Sequence, residues 1–237
     1  MSATISKDTN SIPRHIGFIL DGNRRWARAN NLPTLEGHRR GYHILKDVSK
    51  AAFERGVECV SAYIFSTENW NRSKEEVDYL MKLTMTVVTK DARKLIKENI
   101  RIVVLGIEDR VSPKLLKAIR QVEDDSKDNN GGTLALCFNY GGKCEIVDAM
   151  QRALAAGIKP ELIDEKVIED NLYHPDVPAV DLVVRTSGEQ RLSNFMLWRI
   201  AYAELYFVKV HWPDFTVAEL DKALEEFSRR NRRFGGN

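Results

Sequence analysis

A chain of 237 residues with 43% hydrophobic content can bury one substantial core, and its 36 Lys+Arg against 34 Asp+Glu leave a net charge of +2, too small to draw it to nucleic acid. No segment approaches the ~20 apolar residues that span a bilayer, and the polar run from Met1 to Ser11 lacks a signal-peptide core. A soluble, cytoplasmic protein is expected, with membrane contact at most peripheral. Cys59, Cys137 and Cys144 form no CxxC pair and the five histidines no HExxH, which leaves reduced thiols and no zinc motif.

Residues 1–12 read as a flexible tail, and 13–237 as one domain ending in a basic tail. The first element is an apolar strand over 16–20. It breaks at Asp21-Gly22-Asn23, and Arg24-Arg25 then open a helical pattern. Such a break can point a carboxylate and several backbone N–H groups into one crevice. In open α/β sheets the crevice beyond the carboxyl ends of the strands is where ligands sit. Free N–H groups backed by guanidinium groups attract phosphate. The carboxylate would repel that phosphate unless a divalent cation bridges the two.

Helical patterns then fall at 38–55, 74–98, 112–128, 143–156 and 161–170, with another before Glu204 and one after Thr216. Strands fall between them at 59–65, 101–105, 133–138, 182–184 and 205–207. Ser73 with Glu76 and Thr216 with Glu219 make capping boxes, and Ser112-Pro113 places a cap before a first-turn proline. The 74–98 pattern carries Leu83, Met85 and Val87 off its main apolar stripe, so it is buried on more than one side or lines an apolar cavity. Asp124-Asp125-Ser126-Lys127-Asp128 spells DDxxD, a metal motif of all-helical prenyl enzymes. Here it ends a surface helix ahead of Asn129-Asn130-Gly131-Gly132, and we reject it as a site. The alternation predicts an α/β domain with a mostly parallel six-stranded sheet flanked by helices.

Taken whole, the string His15 to Ala27 resembles the first signature of the cis-prenyltransferases, the undecaprenyl and dehydrodolichyl diphosphate synthase family. Further blocks follow in that family's order. They are Gly37-His38, Phe65 to Arg72, Asn139-Tyr140-Gly141-Gly142, Asp181 to Glu189, Arg191 to Phe195 and Tyr202 to Phe207. Arg233-Phe234-Gly235 resembles the family's terminal Arg-x-Gly. The likeness runs over residues 13 to 236.

That resemblance implies a Mg²⁺-dependent enzyme joining isopentenyl diphosphate to an allylic diphosphate, such as farnesyl or geranyl diphosphate, with Z double bonds, beside a hydrophobic product tunnel. Two diphosphates must be held together against their repulsion, which calls for arginines and a divalent cation. By resemblance, Asp21 ligates the metal and positions the diphosphates, with Glu204 as a second metal-linked acid. Gly22, Asn23, Arg24, Arg25 and Trp26 hold the allylic diphosphate, with His38 nearby. Ser66, Thr67, Glu68, Asn69, Trp70 and Arg72 close over the site, Asn69 orienting groups for proton removal. Arg185, Arg191, Leu192 and Ser193 match the isopentenyl diphosphate pocket.

A homodimer through the region 200–207 is implied, with Arg233-Phe234-Gly235 reaching toward the neighbouring active site. The alternative, a non-catalytic partner subunit, would typically have lost the acid and arginines that this chain keeps. Departures from the pattern are Thr34, where many members carry arginine, Gln190, where some carry histidine, and Arg24 in place of a glycine. Ile64, Cys137 and Phe138 stand where long-chain members place small residues, so a short- or medium-chain product is expected.

Overall fold

In the computed structural model, which describes residues 12–230, the apolar runs become β1 (His15–Ile19), β2 (Cys59–Ser66), β3 (Arg101–Leu105), β4 (Thr133–Tyr140), β5 (Leu182–Arg185) and β6 (Glu204–Phe207). They form one sheet in the order β3-β4-β2-β1-β5-β6, parallel throughout and not merely for the most part. Parallel strands are covered on both faces, which is why β1, β5 and most of β4 are buried at successive residues rather than at alternate ones. The chain leaves β1 toward β2 on one side and reaches β5 on the other. The crevice beyond Ile19 is therefore the topological switch point of the sheet.

The helices are α1 (Asn23–Ala29), α2 (Thr34–Glu54), α3 (Lys74–Thr86), α4 (Ala92–Lys97), α5 (Pro113–Ser126), α6 (Gly142–Ala155), α7 (Glu165–Asn171) and α8 (Val217–Arg229). Leu45 and Val48 of α2, Leu80 of α3, Leu115 of α5 and Leu220 of α8 pack over Phe18, Val60, Ala62 and Leu136 on one face. The other face, with Ile19, Val103 and Val183, is covered by Tyr173, Phe195, Met196 and Ile200.

Four expectations are corrected. The helix over 74–98 is interrupted at Val87–Asp91 by a π turn, a break that apolar periodicity cannot register. No helix precedes Glu204, because Ser193, Asn194 and Met196 take positive φ values of 51°, 64° and 40°, which a right-handed helix cannot continue. Ser112 accepts from Leu115 N and Ser73 from Glu76 N, but the Thr216 side chain makes no cap bond. Cys137 packs on the face opposite the helices just named, among Cys59, Leu105 and Tyr173, because alternation along β4 turns Leu136 inward instead. At Ile64 the pairing of β2 with β4 slips, and Ile64 and Phe65 both pack on the Leu136 face. The tails 1–11 and 231–237, including Arg233-Phe234-Gly235, lie outside the described residues.

Candidate active site

Asp21 follows β1 at the switch point, and its backbone is held from across the sheet. Thr186 Oγ1 donates to the Asp21 carbonyl at 2.7 Å and Trp212 N at 3.0 Å. Gly22 then turns into α1 at φ 100°, where a Cβ would come within 2.0 Å of Ser187 Oγ. Only glycine combines that conformation with that approach. The Asp21 carboxylate accepts from Arg185 Nη2 at 2.8 Å and from Arg25 Nη2 at 3.1 Å. Burial alone would raise its pKa. The hydrogen bonds and charges of Arg185 and Arg25 outweigh burial and hold the carboxyl below its ordinary value, so it is ionised.

Arg185, the last residue of β5, is 3% exposed. It also donates to Ser193 Oγ at 2.8 Å and to the Arg191 carbonyl, and its buried Nε has no partner. Arg25 and Arg191 share Glu189, whose carboxyl the two guanidinium groups, Arg191 first, hold low. A second cluster gathers on Glu76, which is 8% exposed. Arg72 Nη1 donates to it at 2.8 Å, His38 Nε2 lies 3.2 Å away and Arg24 Nη1 3.7 Å away. Burial, joined by the Arg72 charge, lowers the His38 pKa despite Glu76. All five arginines expected to grip phosphate are thus held by carboxylates or carbonyls; Arg72, Arg185 and Arg191 line one basin, whereas Arg24 and Arg25, like Gly22, stand outside its lining.

The basin, about 1090 Å³ with its open mouth included, is lined by Asp21, Ser66, Glu68, Arg185, Arg191 and Ser193, among others. An apolar cleft of about 770 Å³, its open mouth included, adjoins it, with Leu45, Ile64, Leu80, Leu83, Val87 and Leu136 among its walls, and Asn23 and His38 among its polar lining. Leu20, Tyr63, Asn69 and Arg72 belong to both linings. They form the junction between a charged chamber and an oily one.

Asn69 ends up there through local chemistry. In the tight turn Thr67–Asn71, Ser66 and Asn69 cap each other reciprocally, Ser66 N donating to Asn69 Oδ1 at 3.2 Å. That leaves the amide nitrogen as the group with which Asn69 can meet a ligand. Trp70 pins the same turn from behind. Its Nε1 donates to Asn139 Oδ1 at 2.7 Å, its ring packs on Phe65, and Arg110 stacks 4.5 Å from its centroid. Asn139, at φ 49°, donates onward to the carbonyls of Ile107 and Asp109.

Some expected site residues stand outside both linings. Trp26 is a buried anchor under Arg40, and Leu192 packs into the core beneath the 191–203 loop. Thr67 starts the capped turn, and Trp70 braces it. Glu204 opens β6 at the level of Leu182, pairing with Arg230 at 2.9 Å. Three residues of strand, roughly 10 Å at ~3.3 Å per residue, separate that level from Arg185, so within one chain Glu204 is not brought to Asp21. Phe138 packs on Phe65, away from the cleft.

Two important residues escaped the sequence reading of the site. Glu76 was visible only as the partner of Ser73 in a capping box; its spacing one helical turn beyond Arg72 was the available signal. Asn194 donates to Glu68 Oε1 at 3.0 Å and accepts from Lys143 N at 2.9 Å, tying the 191–203 loop to both the capped turn and the start of α6. Burial raises the Glu68 pKa, but the Asn194 bond and nearby backbone and hydroxyl donors outweigh it, and Glu68 too is held low.

Among the described residues no three His, Cys, Asp or Glu side chains gather as a ready-made metal cage. A single ionised aspartate beside Glu68, in a chamber ringed by arginines, nonetheless suits one kind of ion. Mg²⁺ binds through one or two carboxylates, keeping its other positions for phosphate oxygens and water.

A charged chamber joined to an apolar cleft at the carboxyl ends of a parallel sheet accommodates an amphiphile with an anionic head. The comparisons agree. Residues 19–235 match the family model described as putative undecaprenyl diphosphate synthase. An isoprenyl transferase of Thermotoga maritima is 45% identical over 228 residues, covering 95% of this chain and 97% of the relative. A Thermobifida fusca trans,polycis-polyprenyl diphosphate synthase, (2Z,6E)-farnesyl diphosphate specific, is 44% identical, covering 95% and 81%. The crystal structure of lavandulyl diphosphate synthase from Lavandula x intermedia, in complex with dimethylallyl diphosphate, superimposes with a TM-score of 0.89 at 34% identity, covering 95% and 99%. The chain belongs to the cis-prenyltransferase family, and it is an isoprenyl transferase.

Proposed function

We propose that this enzyme condenses isopentenyl diphosphate onto an allylic diphosphate with Mg²⁺, forms Z double bonds, works as a homodimer, and releases a short- or medium-chain product. The observation that carries the reading is the junction. Leu20, Tyr63, Asn69 and Arg72 wall both the basin and the cleft, so a diphosphate head and a growing hydrocarbon tail have adjoining places.

Arg24, Arg25, Arg72 and His38 would take up the allylic diphosphate by exchanging carboxylate partners for phosphate oxygens. Buried Arg185, with its unpartnered Nε, would grip isopentenyl diphosphate together with Arg191 and Ser193. Mg²⁺ at Asp21 would neutralise charge on the departing diphosphate. Asn69, fixed by its capping bond, would orient the pair so that the alkene faces the allylic carbon, because positioning is worth more here than basicity. Each added unit buries five carbons, which stabilises the bound chain by roughly 4 kcal/mol. Elongation therefore proceeds while the cleft has room.

Ile64 lines the cleft close to the junction and supports an early stop. Ile64→Ala is expected to lengthen the product on thin-layer chromatography, whereas Phe138→Ala, outside the cleft, should not. Support for self-association comes from half-buried Leu205, Tyr206 and Phe207 on the edge strand, and from exposed Tyr202, Val147, Met150 and Leu154.

The test is purified protein with radiolabelled isopentenyl diphosphate, an allylic diphosphate of two or three units, and Mg²⁺ or a chelator. Labelled lipid only when the metal is present supports the reading. Its absence from this chain alone would overturn it.

A further inference from the structure

Past Arg185 the chain runs on beside the continuation of β6. Ser187 N donates to Val210 O and Gly188 N to Val208 O, each at 2.8 Å. That pairing brings Ser187 Oγ to 2.5 Å from His211 Nδ1, a hydrogen bond that either ring tautomer can make. Neither residue lines the basin or the cleft. The bond lies instead against the α-carbon of Gly22, where a Cβ would meet Ser187 Oγ at 2.0 Å and His211 Nδ1 at 2.7 Å.

Ser187 takes φ 74°. A serine is strained there and a glycine is not, so the backbone alone would favour glycine. What serine adds is the hydroxyl, and the hydroxyl meets His211. Gly22, at φ 100°, has the opposite difficulty. With no side chain, its own sterics do not hold that angle, so the restraint comes from outside. Thr186 Oγ1 and Trp212 N fix the preceding Asp21 carbonyl, and their chain neighbours Ser187 and His211 close on Gly22. Trp212 is fully buried, its Nε1 donating to Gly41 O at 2.8 Å, so this clamp has a firm base. Directly after Gly22, α1 carries Arg24 and Arg25.

We propose that Ser187 and His211 are positioning residues for the allylic diphosphate: their hydrogen bond holds the Gly22 turn so that Arg24 and Arg25 meet the phosphates from a fixed place. This rests on the prenyl-elongation reading above and adds to it two residues that act through the turn without touching substrate. Arg191 and Ser193 stand on a separate loop, so the requirement for isopentenyl diphosphate should not follow the pair.

The experiment measures KM for each substrate, and the melting temperature, in wild type, Ser187→Gly, His211→Leu and His211→Asn. Calorimetric titration with an allylic thiolodiphosphate, whose C–S bond resists ionisation, reads binding without turnover. Ser187→Gly removes the hydroxyl and the strain together. It should raise KM and Kd for the allylic ligand about 5-fold or more, the scale of one lost hydrogen bond. Its melting temperature should stay level or rise, a combination that loss of a merely structural contact would not give. His211→Leu keeps bulk without the ring nitrogen and should act alike. His211→Asn places an amide where Nδ1 was and should bring the allylic KM back near wild type. KM for isopentenyl diphosphate should stay near wild type in all three. If His211→Leu does not fold, Ser187→Gly decides the matter. An unchanged allylic KM and Kd in the folded variants, or an equal rise in KM for both substrates, would overturn the positioning role alone. A wild-type chain that makes no lipid would overturn the elongation reading, and the positioning role with it.

Discussion

Asp21 is held between two guanidinium groups before any substrate arrives, and this shapes how its removal should be tested. Arg185 is almost wholly buried on it, so truncating Asp21 to alanine would strand a charge as well as remove a ligand. Asp21→Asn keeps the shape and one acceptor while removing the negative charge. Turnover is expected to fall by at least about 10²-fold, the scale of losing one fixed electrostatic group from an active site, with the thermal midpoint little changed. Near-normal turnover of Asp21→Asn at saturating Mg²⁺ would remove Asp21 from its assigned role. Glu76 shows the same economy of charge. It gathers Arg24, Arg72 and His38 from three elements into one place, and both guanidinium groups have a phosphate-like partner until phosphate comes.

At the scale of elements, the loop from Arg191 to Ala203 matters most, since it has no regular structure yet carries Ser193 and Asn194. A buried ion pair holds it. Arg199 Nη1 donates to Glu145 Oε1 at 2.6 Å, and both residues are under 5% exposed. Glu145, in the first turn of α6, also accepts from Tyr140 Oη at 2.5 Å and Tyr173 N at 3.2 Å. Arg199 donates onward to the carbonyls of Tyr173, His174 and Val177. One pair therefore staples α6, the 171–178 segment and the loop. Arg199→Met should cost about 3–5 kcal/mol in urea unfolding, because it leaves Glu145 buried and unpaired. A loss below 1 kcal/mol would mean that the loop is held elsewhere.

For the whole molecule, acid sensitivity follows from histidines kept neutral. His15 is fully buried between Pro178 O and Ser61 Oγ, each 2.8 Å away, and burial pushes its pKa down to about 4. The unfolded chain takes up that proton first. Stability is therefore complete above the ordinary histidine pKa of about 6.5 and is lost as pH falls toward 4, by up to roughly 3 kcal/mol. His38, also lowered, acts in the same direction. Urea midpoints measured from pH 7 to pH 4.5 should decline through this window, and a flat profile would contradict a neutral, buried His15.

The C-terminal tail belongs to the same scale. Arg230 clasps Glu204 at 2.9 Å and the Leu205 carbonyl at 3.0 Å, so truncation should spare it. Removing residues 231–237 is expected to lower activity several-fold with little change in melting temperature. Full activity in that variant would take Arg233-Phe234-Gly235 out of catalysis.

Much of this was legible in the sequence, for local reasons. The six apolar strand runs announced a buried parallel sheet, and Asp21-Gly22-Asn23 announced its own turn, because those residue types act on their own backbone. The arginines stood inside motifs that named their chemistry. What the chain order could not reveal was which residues meet. Glu76 becomes the centre of an arginine and histidine cluster only once α1 and α2 pack against α3, Cys137 turns from the cleft because β4 alternates from Leu134 to Phe138, and the buried Glu145–Arg199 pair joins residues 54 positions apart. Packing decides such contacts, and packing depends on every element at once.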